Sequence, residues 1–475
     1  MMRASLALLI VLGALFTLSA KTAAGSTGNV IYFNQGQVVD AYYISATAVP
    51  AHILGAPFAT GGAIPSVSAI ADNIVISPAN ILYVPDGDSG TIAAFSINSV
   101  TGALTPIPGS PFKTGLTEDQ VAVAVTPNGK FLYAAFSLHT LILGFAIGPN
   151  GALTPLPGRP VQGGSVLGYD AISPDSTILG VSLPDGGAVL TYVIAPDGAL
   201  SEAPGSPFAV LSGFSLFSSI SISPNNLMLG GTGSPQVTAL SIAPNGKLTL
   251  APSLTGGGPL STGLGALTPN GSFFYQLPEG FNSLFGYAVS PGGEITALPG
   301  SPVPVRDVGI ENAPTTVAIS ADGTTLFLQN VDGDLSVFNI SASGLPVEAP
   351  GSPLNINAFG GGMVVYPVPG QKQVAAPTYN VCISDQFTGD MIQFDSASGD
   401  YRYANCHTGV SMVGRGSVTS SSCYFVLNDV ESDRKLVASW DTCNESGSAA
   451  IRSTFLKLAV DFSANSAGQC NCKGE

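Results

Sequence analysis

Short apolar, β-prone runs recur along most of this chain, divided by turns rich in Gly, Pro, Asn and Asp. The clearest unit begins with Val121-Ala-Val-Ala-Val125 and the turn Thr126-Pro-Asn-Gly129. Phe131-Leu-Tyr-Ala-Ala-Phe136 follows, then a loop at 137–140, the run Leu141 to Ile147 and the turn Gly148-Pro-Asn-Gly151. A last segment, Ala152-Leu-Thr-Pro-Leu-Pro157, carries prolines that cannot donate to a ladder, so it belongs on an outer strand. In the turns, proline presets φ at the first position, and Asn or Gly accepts the positive φ that follows. The pattern predicts four antiparallel strands and leaves no room for a helix.

The unit repeats. Gly55-Ala-Pro-Phe58, Gly109-Ser-Pro-Phe112, Gly158-Arg-Pro-Val161, Gly205-Ser-Pro-Phe208, a degenerate Pro252-Ser-Leu254, Gly300-Ser-Pro-Val303 and Gly351-Ser-Pro-Leu354 mark seven copies. Four strands per repeat, seven times over, predict a seven-bladed β-propeller. Only two strong strands, Val30–Phe33 and Val38–Ile44, plus an edge segment precede the first phrase, whereas 362–367 is an orphan after the last. Pairing that orphan with the amino-terminal strands closes the ring. The expected organisation is a signal peptide at 1–24, an all-β propeller at 25–370 and a small disulfide-rich β domain at 371–475.

Composition changes the picture at the two ends. Met1–Arg3, an apolar run Leu6–Leu18 and small residues thereafter read as a secretory signal, implying a secreted, periplasmic or cell-surface bacterial protein. No later stretch is apolar enough to span a bilayer, so no membrane span is expected after signal removal. All six cysteines, Cys382, Cys406, Cys423, Cys443, Cys470 and Cys472, lie near the carboxy terminus. An even count in an exported segment predicts disulfides, with the pairing open; a zinc site through His407 is the weaker alternative. Strand-like runs there are 391–394, 401–404, 423–427, 436–440 and 455–462, the last open to helix as well.

A formal net charge of −15, with 15 Lys and Arg, disfavours nucleic acid as a partner. Charged residues make up only 9 % of the chain. That scarcity points to a binding or scaffold module for a protein or carbohydrate ligand, with no cofactor.

Several phrases resemble a known family. Ile172-Ser-Pro-Asp175, the strands with Phe131-Leu-Tyr133 and Phe145-Ala-Ile147, and residues 151–160 look like the lactonase-type, 6-phosphogluconolactonase-like seven-bladed propellers over about 29–370. The resemblance implies, as the alternative function, a lactonase-like hydrolase or isomerase acting on a sugar lactone at the channel mouth.

Successive turns of a meander alternate between the two ends of the ring, and the end opposite the Pro-Asn-Gly turns collects the polar candidates. His139, Arg306 and Glu311 are the candidate catalytic residues; Glu118, Asp119, Asp185, Glu279 and Asp307 are the candidate ligand-binding residues. Asp86-Gly-Asp88 and Asp332-Gly-Asp334 resemble loose calcium loops but read better as acidic hairpins, so no metal site is assigned. His52, beside an edge strand, reads as structural.

Overall fold

The computed structural model describes residues 28–368 apart from 45–49, 54, 63–72, 118–120, 158–159, 165–166, 184–186, 211–216, 233–236, 252–262, 279–282, 306–313, 331–332 and 357–361, together with eight strands between 380 and 459. Every described element is a strand, and seven four-layered antiparallel sheets succeed one another along the chain. They form a seven-bladed β-propeller. The innermost strands of neighbouring blades contact in sequence around a closed circle.

Blade 1 is built from both ends of the ring. Met363–Val368 forms its innermost strand and pairs antiparallel with Gly28–Asn34, Val30 lying opposite Tyr366. The orphan strand read from the sequence therefore closes the ring as expected. Leaving no open edge between first and last blades removes a site of unravelling and of foreign strand pairing.

Alternation along each strand decides what holds the blades together. In Phe131–Phe136 of blade 3, Leu132, Ala134 and Phe136 pack towards blade 2, while Phe131, Tyr133 and Ala135 pack towards blade 4. Second strands such as this one are thus buried on both faces, which explains their continuous apolar runs instead of a polar alternation. A tyrosine in the second strand adds a directed link. Tyr83 donates to the Gly151 carbonyl at 2.8 Å, and Tyr133 to that of Gly198 at 2.8 Å. Tyr32 and Tyr275 make the same bond to Gly102 and Gly344. Each acceptor is the positive-φ glycine of the turn between third and outer strands in the following blade. Burial drives all four phenols above their usual range, keeping them as donors.

The repeated Gly-Ser-Pro phrase proves to be a break within the outer strand, which the sequence reading left unexplained. In blade 2, Leu104–Pro106 pairs with the end of the third strand, and Phe112–Lys113 pairs with its beginning. Between them the backbone turns away over a cis Ser110-Pro111 bond. The serine fills the gap: its hydroxyl oxygen accepts the Ala94 N–H at 2.9 Å. Ser206, Ser301 and Ser352 accept from Thr191, Gly286 and Val337 in the same way. Blade 1 has Ala56 instead, and there Asp40 Oδ1 takes the equivalent Ala41 N–H at 2.9 Å.

Beyond the ring, Asn380–Ser384 to Thr454–Ala459 form eight consecutive strands in one antiparallel meander. The five expected strand runs are present with small shifts in bounds. Asn380–Ser384, Ser411–Ser420 and Ser446–Ile451 are additional strands. Cys382 lies on the first of the eight; the other five cysteines, like residues 1–24, fall outside the described residues.

Candidate functional site

The Pro-Asn-Gly turns occupy one end of the ring. The opposite end, where second strands pass into third strands and blades are joined, holds the polar groups. His139 is exposed there on the blade 3 hairpin. Asp86 ends the second strand of blade 2, with Asp88 in the hairpin beyond it, and Asp334 opens the third strand of blade 7. These groups share an end but belong to three different blades. Glu118, Asp119, Asp185, Glu279, Arg306, Asp307, Glu311 and Asp332 lie outside the described residues.

Asp86 is an acidic hairpin residue, as expected: Oδ1 accepts the Ser89 N–H at 3.1 Å. It is also buried, at 5 % exposure, and its Oδ2 has no hydrogen-bond partner. The surroundings are rigid. Asn34 Nδ2 donates to the Pro85 carbonyl at 3.2 Å while its Oδ1 accepts the Gly36 N–H at 2.9 Å. Thr60 donates to the Gly36 carbonyl and accepts the Gly62 N–H. Gly62 lies so close to the Asp86 carboxylate that any Cβ there would collide with it.

Asp170 is the group that sequence reasoning missed. It opens the innermost strand of blade 4, pairing with Val181. Register places Ile74, Val123, Ile220, Gly265, Val317 and Met363 at the corresponding position of the other blades. Asp170 alone puts a carboxyl there. Neither carboxylate oxygen has a partner, and burial pushes its pKa up to about 8. Just before it, Gly168 N–H bonds the Ser182 carbonyl while Ser182 N–H bonds that of Tyr169, a one-residue offset typical of a β-bulge. Aligning the seven repeats on their Ser/Thr-Pro turns exposes this acid; reading one repeat conceals it.

His52 has the structural setting expected of it. Its Nε2 lies 3.1 Å from Asp40 Oδ1, and its ring stacks on Tyr42 at 4.2 Å. Tyr42 gives its phenol hydrogen to the Ile356 carbonyl of blade 7, with Asp40 Oδ2 3.2 Å away. Burial, then the Asp40 charge, raises the Tyr42 pKa. This cluster sits on third and outer strands, where it ties blade 1 to blade 7.

A cleft of about 410 Å³ opens between blades 3 and 4, walled by Tyr133, Gly144, Leu156, Pro157, Pro160 and Gly198. These are largely outer-strand positions, and the Tyr133 hydroxyl is already committed to Gly198. The cleft offers shape without an acid–base pair.

Solved structures match this architecture. The periplasmic gluconolactonase of Pseudomonas aeruginosa superposes with a TM-score of 0.56 at 17 % identity, over 72 % of this chain and all of that one. A 6-phosphogluconolactonase candidate from Bacteroides uniformis gives 0.56 at 18 % identity, with 72 % and 100 % covered. The ring shares its fold with these lactonase-type propellers. A protein from Lactobacillus plantarum aligns at 0.54 and 18 % identity over 72 % of this chain and 99 % of its own. No family model matches the chain, nor does any curated protein. The likeness is one of fold at low identity, and each match covers 72 % of this chain.

Proposed function

We propose that this lactonase-type propeller hydrolyses a hydroxylated lactone at the mouth of its channel, on the end that carries His139 and Asp86. The observation that carries the reading is Asp170. Its carboxyl, raised to about 8 by burial and with both oxygens unpartnered, stands on a strand of the inner ring at a position where the other blades have no carboxyl. In lactone hydrolysis water adds to the carbonyl, the acyl C–O bond breaks, and the ring oxygen leaves as a hydroxyl after taking up a proton. A carboxyl with proton affinity near neutrality suits that transfer, relayed through channel water because its own oxygens are buried. Arg306 and Glu311 are proposed to complete the site, as oxyanion partner and second carboxylate.

Likeness to a periplasmic gluconolactonase supports both the chemistry and an exported location. The scaffold reading drawn from scarce charge has no specific observation in its favour.

The test is acid release from glucono-1,5-lactone, above the spontaneous rate, by the protein without residues 1–24. Asp170→Asn is expected to lower kcat by about 100-fold or more, in line with loss of a general acid. No enzymatic rate with this or related aldonolactones would overturn the proposal.

A further inference from the structure

Blade 3 leaves open a gap that five other blades fill. Where the outer strand breaks, the third-strand N–H facing the break is taken by Ser110, Ser206, Ser301 and Ser352 in blades 2, 4, 6 and 7. In blade 1 Asp40 takes it, and in blade 5 the phrase falls outside the described residues. Register gives Gly144 as the corresponding residue of blade 3, opposite Tyr133 as Ala94 is opposite Tyr83. The Gly144 carbonyl receives the Leu156 N–H at 2.9 Å, just as that of Ala94 receives Ile107. The Gly144 N–H, by contrast, has no acceptor among the described residues. The sequence gives the reason: the phrase reads Gly158-Arg-Pro-Val161 here, with Arg159 in the place of the serine.

The cleft of about 410 Å³ opens at this same gap and has Gly144 in its wall. Its size falls within the range of small-molecule sites. Ile142, Pro155, Leu156, Pro157, Pro160 and Leu200 make the surround apolar, and no described wall residue is charged. A charged or heavily hydroxylated guest would give up water there without replacement hydrogen bonds. A carbon skeleton with one acceptor placed at the amide would not. Gly144 also has to stay a glycine, since a Cβ on it would stand 2.8 Å from Leu156 Cδ1. No side chain at that position covers the donor.

We infer that the blade 3 cleft binds a neutral, apolar small molecule through one carbonyl-type oxygen, which accepts the Gly144 N–H in place of the missing serine. The site is built from outer-strand positions, apart from the channel, so it holds or fails independently of the lactone reading.

The probe is prodan, a neutral naphthyl ketone whose emission moves to the blue in apolar surroundings, titrated into the whole protein. Saturable binding with a blue shift is expected. Arg159→Ser restores the phrase of four other blades, so its hydroxyl should take the amide. Leu200→Trp should fill the cleft from the blade 4 side. Each is expected to weaken prodan by about ten-fold or more. In competition, 2-acetylnaphthalene should displace the probe at about ten-fold lower concentration than 2-isopropylnaphthalene, which has the same shape but covers the amide without accepting from it. Absence of saturable binding, undiminished binding in either variant, or equal displacement by the two naphthalenes would overturn the inference.

Discussion

The Tyr133 hydroxyl donates to the Gly198 carbonyl of the next blade at 2.8 Å, and three other blades repeat the bond. The link joins a rigid strand to the tip of a glycine turn, so it sets the angle between neighbours as well as their separation. Tyr133→Phe keeps the ring in place but strands a carbonyl. A loss of about 1 kcal/mol in urea unfolding is expected, and the double replacement with Tyr83→Phe should cost close to the sum.

The serine of the repeated phrase has a measurable task. Ser110→Ala leaves the Ala94 N–H without its acceptor inside the sheet. About 1–2 kcal/mol of destabilisation is expected. Ser110→Thr, which retains an oxygen, should recover part of it in the same unfolding assay.

Asp40 caps an amide, meets His52 and stands beside Tyr42. Asp40→Ala removes all three contacts at the junction of first and last blades. A loss of about 2–4 kcal/mol is expected, exceeding that for Ser110→Ala. Limited proteolysis should show earlier cleavage at Ala51–His52, since this outer strand of blade 1 loses its side-chain anchor.

Asp170 makes stability depend on pH in an unusual direction. Its carboxyl is raised from 3.8 to about 8 by burial. Below the lower value folded and unfolded chains both hold the proton, and no penalty exists. Between the two values the unfolded chain releases a proton that the folded chain keeps, so this group lowers stability as pH rises. Above about 8 the folded carboxyl ionises too and the penalty is complete. Asp170→Val, the residue that blade 3 has at the same position, should remove this slope and melt higher than the wild type in alkaline buffer. Equal slopes in the two proteins would mean that the acid is neutralised by other means.

The architecture was legible in the sequence because propeller repeats advertise themselves through turns. Thr126-Pro-Asn-Gly129 and its counterparts need specific φ values, and only a few residue types supply them. The strand at Met363–Val368 could be placed because the first repeat was one strand short. The site was less legible. Asp170 carries meaning only against the six other blades, a comparison of equivalent positions that local motifs do not make. Nor does periodicity distinguish an acid that faces solvent from one enclosed between sheets. The Gly-Ser-Pro phrase was recognised as a marker, yet its purpose depends on a hydrogen bond from Ala94, sixteen residues earlier in the chain.

The interrupted outer strands have a consequence for how these molecules coexist at high concentration. A ring of seven sheets presents seven flanks to its neighbours, and an unbroken flank is a template on which another chain can extend the sheet. Here a typical flank is cut into pieces of three and two residues with proline at the cut, as in Leu104–Pro106 and Phe112–Lys113. Segments that short give an intruding strand too little to grip, so the motif that counts the blades also keeps one ring from fusing with the next.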